Sequence, residues 1–383
     1  FFLATTVSAP WVATAQPDTA PPIKKRSEIV SLDFDRDHAI RFGTPKLRVA
    51  LIALVQTQMA FFTGADNLIQ DGDPAEEIGA RLRRARFGFA GRLLKVVDFA
   101  VSAEANVHGI DILDAWVGYR LDTVVGLSLG AKKVPFSRFE LMGAGRGALI
   151  ERPLGVRALA PGRQVGLTIQ GDVADGAFKY AVGAYNGFER HTNFYQGYVQ
   201  GTGLLGNRFS RLAFAARLAT EPLGPLGRSM ADLSPDKGFR LGIGAAGFYN
   251  YGKTTTSYGW EVDVHLKIAG FHLAAEFIQN HAAPTENPTT PLTIPAEVTR
   301  FAFAAEVGYM ILARRFGVTL RVELMDDDDR VENNGDALIV TGGLQYYWRN
   351  HHLRASLDFI HREELKGLAR DNDTLLLQLQ VEL

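Results

Sequence analysis

The chain has 383 residues, 46% of them hydrophobic, with 41 basic and 42 acidic side chains and a formal net charge of −1. Balanced charge argues against a generic nucleic-acid binder, and a chain without cysteine can form neither disulfides, thiolate metal sites nor cysteine nucleophiles. The longest apolar run, VALIALV from Val49 to Val55, is far short of the roughly 18–20 residues of a membrane helix, but barrel strands are only half apolar and escape that criterion.

The chain opens FFLATTVSAPWVATAQPDTAPP. Phe1 to Val12 has the character of an apolar export segment. Ala13-Thr14-Ala15 supplies small residues at the spacing of a signal-peptidase site. Residues 1–15 are therefore read as a signal remnant, 16–45 as a periplasmic N-terminal segment and 46–383 as one barrel domain.

From Lys46 onward one device repeats. Sixteen segments of about nine to twelve residues alternate apolar and polar side chains, the spacing of membrane strands. Clear cases are LRVALIALVQTQM, RRARFGFAGRL, RLAFAARLA, RFAFAAEVGYM and LLLQLQVEL. The connectors 62–80, 134–163, 187–207, 280–297, 326–336 and 362–373 are long and polar. Those at 94–97, 121–123, 269–270, 312–315 and 349–351 are short. Residues 221–238 break the rule, being long where a short turn is due. Aromatic residues near strand ends, Phe61-Phe62, Tyr249, Tyr251 and Tyr346-Tyr347-Trp348, suit interfacial girdles.

Alternation alone does not distinguish a soluble β-sandwich from a barrel. The strand count, the loop asymmetry and the export-like start predict an all-β, closed antiparallel transmembrane barrel of about sixteen strands. An Arg at mid-bilayer costs about 2–4 kcal/mol, so the charged face must line the lumen. That face carries Arg48, Arg84, Arg86, Lys132, Arg211, Arg217, Lys267, Arg300, Arg321 and Arg354, with acids including Asp98, Glu104, Asp114, Glu261, Asp263, Glu276, Glu323 and Asp358.

The connector after Lys132-Lys133 holds Arg138, Arg146, Arg152, Arg157 and Arg163 against Glu140 and Glu151. It is too long and too apolar for a free surface loop, so it is expected to fold into the barrel as a third outer loop. A basic constriction attracts anions and repels cations. The opposing expectation is that these arginines pair with Glu140, Glu151 and wall acids, leaving the constriction near neutral.

GFYNYGKT, Gly247 to Thr254, matches the phosphate-loop pattern, and Gly242-x-Gly244-x-x-Gly247 matches a dinucleotide fingerprint. Both need a following helix. TTSYGWEVDVHLKI has period two instead, so the stretch is a strand end and outer turn. Asp326 to Asp329 suggests a solvated loop, or divalent cations bridging lipopolysaccharide. His351-His352 point to opposite faces of a strand. Glu363-Glu364 beside His361, Ser210 and Ser356 lack a catalytic context. No enzyme, cofactor or metal is expected.

The stretches RRARFGFAG, ILDAWVGYR, VGLSLGAKKVPFSRFE, LIERPLGVRALAPGRQVGLTIQG and YAVGAYNG resemble the phosphate-selective porins O and P of Gram-negative outer membranes, with IERPL…ALAPGRQVG the most specific part. The resemblance implies a homotrimer in the outer membrane, in contact with its lipid and lipopolysaccharide, that conducts phosphate, chloride or other small anions. It implies contact with the anion at Lys132, Lys133, Arg138 and Arg152, and more weakly at Arg84, Arg86 and Arg163. Arg146 and Arg157 complete the set expected to line the pore. The chain departs from the family in having 11 lysines against 30 arginines. Only Lys132, Lys179 and Lys267 face inward within strands, which favours general anion preference over phosphate specificity. The alternatives are a non-selective porin or a closed-lumen receptor or enzyme.

Overall fold

The computed structural model describes residues 31–34, 40–44, 46–64, 74–75, 77–106, 109–122, 124–190, 197–199, 201, 209–285, 297–367, 369 and 372–383. The export-like stretch 1–15 lies outside them.

The described chain is almost all strand. A hairpin of β1 (Ser31–Phe34) and β2 (Ile40–Gly43) precedes sixteen longer strands. These are β3 (Leu47–Gly64), β4 (Gly79–Leu93), β5 (Val97–Asn106), β6 (Gly109–Arg120), β7 (Gly126–Lys133), β8 (Arg163–Val173), β9 (Phe178–Asn186), β10 (Leu212–Thr220), β11 (Arg240–Tyr251) and β12 (Thr255–Ile268). They continue with β13 (Phe271–Pro284), β14 (Val298–Leu312), β15 (Phe316–Asp326), β16 (Ala337–Arg349), β17 (Leu353–Glu364) and β18 (Asn372–Glu382). From β3 onward each strand pairs antiparallel with the next, and β18 returns to β3 in the register Leu377↔Met59, so the sheet closes. All sixteen alternating segments of the sequence fall in these strands. Closure is reinforced inside by glutamines across the seam: Gln56 donates to Gln380 at 2.8 Å and Gln58 to Gln378 at 2.9 Å.

The N-terminal segment is more structured than its composition suggests. Glu382 pairs with Leu54, so β18 leaves the first residues of β3 without a partner. There β2 takes the edge, Arg41↔Ala50 to Gly43↔Arg48. An unpaired strand edge is a liability, and the hairpin removes it.

The two rims differ. One rim's turns are tight, as at Ala269-Gly270, where φ values of 50° and 89° close a two-residue hairpin between Ile268 and Phe271. The exception on this rim is the connector from Glu221 to Phe239. The other rim carries the third outer loop between β7 and β8.

The faces are inverted relative to a soluble protein. Val101, Val117, Leu129, Val182, Phe214, Ile243 and Val262 are exposed on the outer wall, whereas Arg217, Asp263, Glu276, Arg300, Glu306 and Arg321 are buried within. Strand aromatics divide by the same parity. Phe61, Tyr249, Tyr251 and Trp348 face outward, while Phe62 and Tyr347 turn inside and are buried, so only part of the expected girdle is outward. Arg211 also departs from alternation. It sits just before β10 with φ of 63°, and its guanidinium lies 4.4 Å from the Tyr251 ring centroid at the outer surface.

Val262 lies at the middle of β12 and faces outward. Val262→Arg should destabilise the barrel in lipid by about 2–4 kcal/mol, read as a lowered urea midpoint in vesicles. A soluble barrel would place this side chain in water and show almost no change.

Candidate pore and constriction

The third outer loop is largely buried, so its backbone must find polar partners inside the barrel. It forms two short helices, α1 (Arg138–Leu141) and α2 (Leu154–Leu159), the first capped by Ser137, whose hydroxyl accepts from the Glu140 N–H at 3.0 Å. Wall carboxylates accept other loop donors: Phe139 N–H to Glu276 at 3.1 Å, Ile150 N–H to Asp358 at 2.6 Å and Leu154 N–H to Glu323 at 2.6 Å. Wall arginines donate to its carbonyls, Arg321 to Glu151 O at 2.9 Å and Arg354 to Gly147 O at 2.5 Å. The loop therefore crosses the interior and lies against β12 to β17. Gly155 brings α2 flush with β14, because a Cβ there would stand 2.1 Å from the Cβ of Ala302.

An aromatic cluster fixes the loop's root. Phe136 packs edge-on against Phe248 at 5.2 Å, with Phe188 and Tyr198 from the next outer loop around it. Glu189 of that same loop explains the phosphate-loop look-alike. Its carboxylate accepts from the backbone N–H of Lys253 at 2.7 Å and of Thr254 at 3.3 Å. The turn's donors hold an internal carboxylate, and a strand follows.

The expected basic residues are mostly partnered. Arg138 pairs with Asp263, Arg146 with Glu382 at 3.0 Å, Arg152 with Glu140 at 3.1 Å and Arg163 with Asp114 at 3.0 Å. Arg152 also donates to the carbonyls of Phe139 at 3.0 Å and Met142 at 2.8 Å. Lys133 donates to the carbonyls of Glu140, Leu141 and Met142, and so serves the loop's fold. Arg157 lies in the field of Glu151, Arg83 and Glu323. Arg86 pairs with Glu104 at 2.8 Å. Lys132 differs from these: its ammonium donates to two neutral oxygens, Ser128 Oγ at 3.0 Å and Gln170 Oε1 at 2.9 Å, and lies 5.4 Å from the Trp116 ring centroid.

The largest concentration of positive charge is on β4. Strict alternation would send Arg81 and Arg83 outward. A bulge between Gln56↔Arg84 and Thr57↔Leu82 shifts the register, so Arg81, Arg83, Arg84 and Arg86 all reach the interior. The adjacent pair Arg83-Arg84 was the available signal, since two neighbouring arginines cannot share a face of a regular strand.

Three of these guanidiniums converge on one carboxylate of the loop. Arg83 grips Glu151 bidentately at 2.7 and 3.1 Å, Arg84 stands at 3.5 Å and Arg81 at 4.0 Å. Burial pushes the Glu151 carboxyl up, but Arg83 and Arg84 pull it well below the usual carboxylate range, so it stays ionised. Three positive charges against one negative leave a local excess.

That excess faces water. The Arg81 and Arg83 side chains are 34% and 27% exposed, whereas those of Glu261 and Asp263 on the opposite wall are 0% and 1%. The acids behind the loop are consumed by its backbone and by Arg138, Arg217 and Arg321. The open side of the lumen therefore runs along β4 to β9. Elsewhere, His351 bonds Ser229 at 2.8 Å and His352 bonds Glu382 O at 2.8 Å, each to a different partner. Among the described residues no cluster of His, Asp or Glu is arranged to hold a metal ion.

Residues 55–216, which run from β3 into β10, match the family model described as phosphate-selective porin O and P. The whole barrel is similar to several solved structures. An anion-selective porin from Comamonas acidovorans is 13% identical over 88% of this chain and 100% of its own, with a TM-score of 0.58. The outer-membrane channel DcaP of Acinetobacter baumannii has the same TM-score and identity, over 88% and 98%. A loop-deleted OmpT of Vibrio cholerae gives 0.56 at 11% identity, over 88% and 100%. These likenesses concern the fold. No curated protein matches the chain by sequence.

Gly155→Val should force α2 off β14, weakening the loop's seat by about 1–3 kcal/mol. Limited trypsin digestion of the folded barrel reads this directly. The loop arginines are expected to resist cleavage in the parent protein and to be cut in the variant. Taken together, the match over residues 55–216 and the closed sixteen-stranded barrel make this chain similar to the phosphate-selective porins O and P.

Proposed function

We propose that the chain is an outer-membrane porin that passes small anions through a water-filled, off-centre channel. The observation that carries this is the convergence of Arg81, Arg83 and Arg84 on the single carboxylate of Glu151 at the exposed side of the lumen. The excess charge raises the local concentration of anions and lowers that of cations. The residues assigned to the anion path are Arg81, Arg83, Arg84, Arg86, Lys132 and Arg152. Arg138, Arg146, Lys133, Arg157 and Arg163 shape the loop that sets its width. Guanidinium forks suit oxyanions such as phosphate, and the family model points the same way. The scarcity of inward lysines favours general anion preference. The assembly proposed is a homotrimer, which crosslinking in native membranes followed by unheated gel electrophoresis reads as threefold mass.

Planar bilayers test the channel and its sign. Stepwise conductance is expected, with reversal potentials favouring chloride or phosphate over potassium at 0.1 M salt. A charge about 4 Å from a passing ion is worth about 1 kcal/mol in water, or about fivefold in the local concentration of either ion. Arg81→Gln with Arg83→Gln should lower the ratio by at least about that factor, and Glu151→Gln should raise it. The preference should fade toward 1 M salt, where the screening length is about 3 Å. Cation preference at low salt would sink the assignment, and a silent membrane would favour a closed-lumen receptor instead.

A further inference from the structure

The connector from Glu221 to Gly238, on the tight-turn rim, does not hang outside the barrel. Leu226, Met230 and Ala231 are each 2% exposed or less, and Asp232 is fully buried. Wall side chains from three elements hold it, through its backbone and its polar side chains. Lys267 of β12 donates to Leu226 O at 3.0 Å and to Ser229 O. His265 of β12 bonds Met230 O at 3.1 Å, and His351, in the turn between β16 and β17, bonds Ser229 Oγ at 2.8 Å. Asp232 accepts from Arg240 of β11 at 2.6 Å and from the Gly270 N–H at 3.0 Å.

The connector also reaches the third outer loop. The Met230 N–H donates to Arg146 O at 2.9 Å, and Met230 lines a small cavity with Phe139 and Met142 of that loop. The glycines of the dinucleotide look-alike find their use here. A Cβ at Gly242 would stand 2.4 Å from Leu226 Cδ1, and one at Gly244 would strike the Arg217–Asp263 pair at 2.3 Å. They are bare so that the connector and the ion pairs can pass.

We propose that residues 221–238 are a second constricting element. It enters from the rim opposite the third outer loop, meets that loop inside the barrel and, with it, shuts the β11–β17 half of the lumen to ions. Conduction is thereby confined to the arginine-bearing β4–β9 side. This rests on the channel reading above. Met230 is a positioning residue that acts through the loop it braces, and Asp232 anchors the connector to the wall through Arg240 and the Gly270 N–H.

Two experiments decide it. In the first, residues 223–236 are replaced by Asn-Gly, and barrels with native heat-modified mobility are taken to planar bilayers. Single-channel conductance should rise roughly twofold as the second half of the cross-section opens, with a weaker anion preference. A folded variant with parental conductance and selectivity would overturn the proposal. In the second, which holds whether or not the shortened chain folds, Arg146→Cys and Met230→Cys are introduced together into this cysteine-free chain. Backbone-bonded neighbours lie within disulfide reach, so oxidation in membranes should form an internal disulfide, read as faster non-reducing gel mobility. Failure to form it would show that the two segments do not meet and would refute the proposal. A silent parent protein with the disulfide formed would remove the channel reading alone.

Discussion

Hydrocarbon offers no hydrogen-bond partners, and the molecule is organised around that fact. Every backbone N–H and C=O within the bilayer must be paired by another strand, so the sheet must close on itself. Closure fixes a repeating parity in which one side of each strand meets lipid and the other does not. Because apolar residues occupy the outer positions, charged and amide side chains are gathered inside by geometry. The glutamines across the β18–β3 seam and the β2 edge on the start of β3 serve the same demand at the two places where a simple barrel would leave groups unpaired.

The demand recurs inside. A loop of about thirty residues crossing the lumen brings its own backbone donors and acceptors, and water cannot reach all of them. Glu276, Asp358 and Glu323 accept from it, while Arg321 and Arg354 donate to it. Acids spent in this way no longer face the solvent. Most of the loop's own arginines are likewise neutralised by Asp263, Glu382, Glu140 and Asp114. The positive charge left over is carried by the wall strand β4, with Glu151 of the loop as its common partner.

Strand number and facing were legible because period two is a strong signal over sixteen segments, and a barrel leaves few strands irregular. Arg84, Arg86 and Lys132 were placed inward by that rule alone. Its failures have local physical causes. The bulge at Arg83 brings in Arg81 and Arg83, which alternation sends outward. Arg211 leaves the strand in a left-handed conformation and stacks on Tyr251. Ion-pair partners such as Arg138 with Asp263 are separated by many strands, and no local pattern reports such a contact. The letters GxGxxG and GxxxxGKT imitate nucleotide loops for a related reason, although the period-two strand that follows them already rules that reading out. Glycines that clear space for Leu226 and for an ion pair, and a turn whose amides hold Glu189, look in sequence like glycines that clear space for a phosphate.

A net charge of −1 is therefore a poor guide to the field inside this barrel. What an ion in the lumen meets depends on which charges keep contact with water. Acids held against loop backbone in a low-dielectric pocket are compensated by nearby donors and by arginines at hydrogen-bond distance. Guanidiniums crowded three to one around Glu151 are not fully compensated, and two of them remain about a third exposed. Packing the loop against one side of the wall thus does two things at once. It narrows the channel, and it buries the acids and bases of β11 to β17 in internal pairs while leaving arginines of β4 in contact with water. Where the loop rests is consequently as important to the sign of the pore as which charged residues the strands carry.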